Sequence, residues 1–170
     1  FLAKNFASSI SPWIVTLDAL EDFKCESPEQ NPKPLPYLQQ TGKHAYDINL
    51  QVAIQPENAV ETVVSNSNFK YMYWTMSQQL AHHTINGCRV NSGDMMGSGT
   101  ISGPTPDSFG SMLELSWGGQ NPIKMNDGSE RKFINDNDTV IIRGYCQNDK
   151  VRIGFGEVSS KLLPAIDLKF

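Results

Sequence analysis

The sequence predicts a mainly β protein with one principal helix, and three observations carry that prediction. Residues Ile48 to Ile54 carry a large apolar side chain at every second position, a single long stretch between Asn68 and Ile85 shows helical periodicity, and everything after Cys88 is short apolar runs separated by turn residues. At 170 residues the chain is one domain by length and long enough to bury a core without staples.

Taken in order, the first 20 residues mix small residues with an apolar run, Trp13 to Leu17, expected to be a short strand or buried loop behind Pro12. From Ser27 to Pro36 the sequence SPEQNPKPLP holds four prolines in ten residues, which excludes helix and favours extended chain wrapping the surface. Ile48, Leu50, Val52 and Ile54 then alternate with Asp47, Asn49, Gln51 and Ala53, as a strand with one buried face requires. A second strand is expected at about Val60 to Val64. Phe69, Met72, Tyr73, Met76, Leu80 and His83 or Thr84 fall on one helical face, so the helix is placed from Asn68 to Ile85, with Ser67 as N-cap and Asn86-Gly87 as its stop. Further strands are expected at about Ser111 to Trp117, Lys132 to Ile134, Thr139 to Tyr145 and Arg152 to Phe155. The turns Asn126-Asp127-Gly128 and Gln147-Asn148-Asp149 lie between them.

Composition excludes several classes of function. A formal charge of −4, a pI near 5.3 and no Lys/Arg cluster give no footprint for nucleic acid. No apolar run approaches the roughly 20 residues a membrane helix needs, so no membrane partner is expected. Cys25, Cys88 and Cys146 are odd in number and widely spaced, fitting neither a disulfide framework nor a zinc site and suiting a reducing cytoplasm. His82 and His83 point about 100° apart on a helix and cannot chelate one ion from the same face. The Gly-rich stretch is not a phosphate loop, because it lacks a Lys-Ser/Thr ending. Asn137-Asp138-Thr139 matches the glycosylation triplet but has no secretion signal beside it.

The stretch Gly97 to Trp117, GSGTISGPTPDSFGSMLELSW, is the best candidate for a site: a glycine- and proline-dense route running into a segment with one carboxylate, Glu114. On pattern alone Glu114 is a strand residue on the less apolar face, Thr100 a turn threonine and Lys4 a solvated lysine. GTISGP, FGSMLELSW, the opening FLAKNF and the stretch NFKYMYWTMSQQLAHHTINGC together resemble the C-terminal part of the fumarylacetoacetase family, across essentially all 170 residues.

That resemblance implies a mixed β-roll or sandwich-like catalytic domain, of which residues 1–170 would be the C-terminal part. The absence of an initiator methionine at Phe1 fits a chain that starts inside a longer protein. It implies hydrolysis of a carbon–carbon bond in 4-fumarylacetoacetate, a β-diketo acid of tyrosine breakdown, by a homodimeric enzyme using Mg²⁺ or Ca²⁺. By position, Glu114 would partner a catalytic histidine in activating water, Lys4 would donate to the oxyanion near the metal, Ser8 would stand near the metal, and Thr100 would contact the substrate carboxylate. Ala3 and Ala7 replace family glycines, and Ser8 replaces a threonine. The metal's carboxylates and the histidine would lie before residue 1, so the 170 residues alone are expected to be inactive. Two alternatives stand beside this: another superfamily activity, such as an acylpyruvate hydrolase or 2-oxo acid decarboxylase, and a non-catalytic dimerisation module built on Tyr71, Tyr73 and Trp74.

Overall fold

Residues 6–167 are described by a computed structural model. They form a mainly β structure around one antiparallel four-stranded sheet, with one principal helix. The sheet order is β4 (Thr62–Asn68), β3 (Asn49–Gln55), β7 (Thr139–Gln147) and β8 (Arg152–Lys161). β3 is central because its alternating residues have neighbours on both sides: Val52 pairs with Ser65 on one and with Ile142 on the other. A bulge follows, since Ala53 next pairs with Val63, and Val64 is left over and turned inward. Two short ribbons flank the sheet, β1 (Lys24–Cys25) with β2 (Ala45–Tyr46) and β5 (Ile123–Lys124) with β6 (Glu130–Arg131).

The core is divided in two along β3. Toward its start, Leu20, Phe23, Tyr46, Ile48 and Cys146 cluster, with Val15, Leu50, Phe69 and Phe155 packed against them. Toward its end, Ile54, Val64 and Met125 cluster with Val52, Met112, Leu115, Ile123 and Ile134. Burial pushes the Cys146 thiol up to about 11, so this cysteine packs as an apolar residue.

Several boundaries differ from those the sequence predicted, each for a local reason. The helix α1 spans Met76–Thr84, not Asn68 to Ile85. Asn68 ends β4, is buried, donates to Asp47 Oδ1 at 2.6 Å and accepts from Lys70 N at 3.0 Å, which turns the chain away from helix before it resumes. The start is set instead by a capping box, in which Thr75 accepts from Gln78 N and Gln78 Oε1 accepts from Thr75 N. Gln78, not an apolar stripe, is the buried residue of α1: its amide donates to Leu38 O and Gln30 Oε1, both at 2.8 Å, while Met76 and Leu80 are exposed. The predicted stop holds, with Gly87 at φ +88°.

Trp13 to Leu17 forms neither strand nor buried loop, since Trp13 and Ile14 are 71% and 93% exposed. The segment is laid across β8 by Ser11, whose hydroxyl donates to Phe155 O at 2.6 Å, and only Val15 reaches the core. The strand expected at Lys132 to Ile134 is replaced by pairing at Glu130–Arg131, because Arg131 turns back to Asp138. β4, β7 and β8 run beyond their expected C-terminal ends. The proline-rich segment lies against α1 through Gln30, whose amide donates to Gln78 Oε1 at 3.0 Å and, just before the helix, to Tyr73 O at 2.6 Å.

Candidate functional site

The segment carrying Glu114 is not a strand but a single helical turn, α2 (Met112–Leu115). MLEL fits either period over so few residues, and two features select helix. Ser111 is the N-cap, its Oγ accepting from Glu114 N at 3.3 Å. Met112 and Leu115, three apart and so on one face of a turn, enter the second core cluster. Leu113, 63% exposed, and Glu114, half-buried, are thereby left on the other side.

That side is one wall of a cleft of about 550 Å³, lined also by Tyr71, Tyr73, Thr100, Ile101, Ser102 and Ser111. The glycine-rich chain is fixed there by three contacts. Ser67 on the edge strand β4 donates to Ile101 O at 3.0 Å, Gly103 N donates to Ser108 O at 2.8 Å, and Gly110 N donates to Ser102 Oγ at 3.0 Å. Gly110 is required by the close approach: a Cβ there would stand 2.5 Å from Ile101 O and 2.9 Å from Thr100 Cγ2.

Within the cleft the Glu114 carboxylate is held by hydroxyls. Ser102 Oγ lies 2.8 Å from both Oε1 and Oε2, and Ser111 Oγ donates to Oε2 at 2.8 Å. Among the described residues no cation pairs with it. The carboxylate thus has no cation partner among the described residues and stands beside open space, as a proton acceptor or the orienting partner of an imidazole must.

Thr100 and Glu114 line this one cleft. Ser8 is exposed on the N-terminal segment and is not among the cleft's lining residues; its neighbour Ser9 accepts from Ser160 Oγ at 2.8 Å. Lys4 lies outside the described residues. Among the described residues no three His, Cys, Asp or Glu side chains converge on a possible ion position, and an exposed serine cannot supply the six or more oxygens typical of a calcium site. The described residues therefore do not by themselves fit Mg²⁺ or Ca²⁺. His82 is occupied with Tyr37, whose hydroxyl is 2.9 Å from Nδ1.

Ser102 and Ser111 were not candidates on sequence. Ser111-Met-Leu-Glu114 does have the Ser-x-x-Glu spacing of an N-terminal cap, which signals both the helical turn and the serine's approach to the glutamate. For Ser102 no spacing rule gives a signal. A second cavity of about 340 Å³, lined by Leu38, Met72, Trp74 and His82, has no carboxylate in its lining.

Comparison with known proteins shows the family to which the chain belongs. The family described as fumarylacetoacetate (FAA) hydrolase C-terminal matches residues 1–162, and the chain belongs to that family. It is 53% identical over 167 residues to the fumarylacetoacetase of Homo sapiens, covering 98% of this chain and 40% of that protein. To the fumarylacetoacetase of Dictyostelium discoideum it is 54% identical, covering 97% of this chain and 39% of the relative. To that of Arabidopsis thaliana it is 50% identical, again over 97% of this chain and 39% of the relative. The chain thus spans about 40% of the length of these curated relatives. No helix among the described residues is long and apolar enough to cross a membrane.

Proposed function

We propose that this chain is the C-terminal part of a fumarylacetoacetate hydrolase and supplies one wall of its active site. The observation that carries this reading is the Glu114 carboxylate, oriented by two serine hydroxyls beside a cleft shared with Thr100, in a chain half identical to fumarylacetoacetases. In the reaction, water adds to the substrate carbonyl next to the double bond. The bond from that carbon to the neighbouring methylene then breaks, its electron pair leaving with acetoacetate as an enolate that takes up a proton, and the acyl part is released as fumarate.

Glu114 acts at the first step. Paired with a histidine from outside this chain, it fixes the imidazole tautomer and stabilises the imidazolium formed when water gives up its proton. Thr100, exposed in the cleft and following Gly99 at φ +80°, offers its hydroxyl to a substrate carboxylate. Lys4 donates to the oxygen on which charge develops. The carboxylates that hold Mg²⁺ or Ca²⁺ come from outside this chain, as does the remaining wall. The exposed apolar side chains of Trp13, Ile14 and Trp117 suit contact with the rest of a homodimeric enzyme, and three unpaired cysteines suit the cytoplasm.

The test is Glu114→Ala in the full-length protein, assayed for fumarate release. Loss of a base-orienting carboxylate predicts a fall in kcat of about 10² or more. Unchanged hydrolysis would leave only an interaction module, and faster turnover of oxaloacetate than of fumarylacetoacetate by the unsubstituted protein would point to the decarboxylase branch.

A further inference from the structure

Three hydrogen bonds reach the Glu114 carboxylate, and they are unequal. Oε2 accepts from both Ser102 and Ser111, whereas Oε1 accepts from Ser102 alone, every distance being 2.8 Å. Ser111 has a second task, since its oxygen caps α2 by accepting from Glu114 N. Ser102 caps no helix. Its oxygen accepts from Gly110 N at 3.0 Å, which occupies a lone pair and turns its one hydroxyl proton toward the space between the two carboxylate oxygens.

We propose that Ser102 is a positioning residue for the hydrolytic reaction: it clamps Glu114 from the glycine-rich loop, fixing the carboxylate plane and leaving Oε1 the oxygen with acceptor capacity to spare. The inference rests on the base-partner role of Glu114. Ser102 also ties together the two pieces of chain that form this wall, because it stands two residues after Thr100 and reaches across to α2. A carboxylate on an unclamped glutamate samples several rotamers about its terminal torsion, and only a fraction of them present an oxygen where a partner needs it. The clamp uses a neutral donor, so it orients the charge without cancelling it.

The experiment is a double-mutant cycle in the full-length protein, with kcat, KM and melting temperature measured for Ser102→Ala, Glu114→Gln and the pair. Ser102→Ala is expected to lower kcat by about 10- to 100-fold, the range that loss of a hydrogen bond to a charged group commands. KM and melting temperature should stay close to those of the parent, since Gly110 N is exposed and regains water. Added to Glu114→Gln, the serine change should cost nothing further, because it acts only through the carboxylate. An equal kcat loss in the Glu114→Gln background, or none in the parent, overturns the proposal. If Glu114→Gln itself leaves kcat unchanged, the base-partner reading fails and the clamp has no function to serve; if Glu114→Gln is impaired and Ser102→Ala is not, only the clamp fails. Should Ser102→Ala not fold, Ser102→Cys keeps the shape with a much weaker donor. The same loss is then expected, and an unchanged kcat overturns the clamp.

Discussion

The carboxylates of Asp138 and Glu114 each accept three hydrogen bonds, and their donors are opposite in kind. Asp138 is 1% exposed, and Arg131 grips it from both sides, Nε to Oδ2 at 2.7 Å and Nη2 to Oδ1 at 2.8 Å, with Asn135 N completing Oδ2 at 2.9 Å. Glu114 is half-buried and receives only serine hydroxyls. Burial pushes the Asp138 carboxyl up, and the hydrogen bonds from Arg131 and Asn135 more than offset this, leaving it below the ordinary carboxylate range. A guanidinium neutralises the charge and closes the site. Serine hydroxyls bring no opposing charge, so the nature of the donors, more than their number, separates Asp138 from Glu114, the carboxylate proposed above as partner of the catalytic base.

The largest expected effect falls on the closed corner. Asp138→Ala strands a nearly buried guanidinium and releases the turn that feeds β7, which predicts a loss of about 3 to 5 kcal/mol of stability in denaturant unfolding. If the loss is under about 1 kcal/mol, the pair is no better than a surface bridge and the contrast weakens. The sign of its pH dependence follows from the depressed folded-state value. The contribution is present above the unfolded carboxyl pKa of about 4 and is lost as pH falls through the lower folded value, so acid unfolding of the parent should lose this increment and Asp138→Ala should not.

Next in size is Gly110→Ala. Its Cβ would meet backbone at Ile101, which cannot yield as a side-chain tip does, so a cost of about 1 to 3 kcal/mol is expected together with a fall in kcat from displacement of Ser102 and Thr100. A stable Gly110→Ala protein with full activity would show that the loop is less tightly seated against α2 than the distances state. The serine cycle is the smallest test on stability, since it is read in kcat with the fold left standing.

The two regions were also unequally legible in sequence. β3 and β7 were readable because long runs of alternating or β-branched residues have one structural solution. Glu114 and Thr100 stood out through family resemblance, while pattern alone made them ordinary strand and turn residues. MLEL reads as strand in sequence because four residues satisfy a strand and a helical turn equally, and the capping serine decides between them. The helix starts later than its pattern suggests for a similar reason: the apolar spacing from Phe69 is helical, but buried Asn68 is committed to Asp47 and ends a strand. Thr75-Met-Ser-Gln78 and Ser111-Met-Leu-Glu114 both carried cap spacing, and both mark true helix starts. The Ser102 clamp had no local signature, since it depends on a loop folding back over eight residues to Gly110.

The central claim is that one carboxylate reacts and the other holds. It is tested most directly by preparing Glu114→Gln and Asp138→Asn of the full-length protein side by side and measuring kcat per folded molecule and melting temperature on the same samples. The prediction is a double dissociation: Glu114→Gln loses about 10² or more in kcat with a melting temperature near the parent's, while Asp138→Asn melts several degrees lower and keeps its kcat. Equal kcat in the two variants, or a melting temperature that falls only for Glu114→Gln, would contradict it.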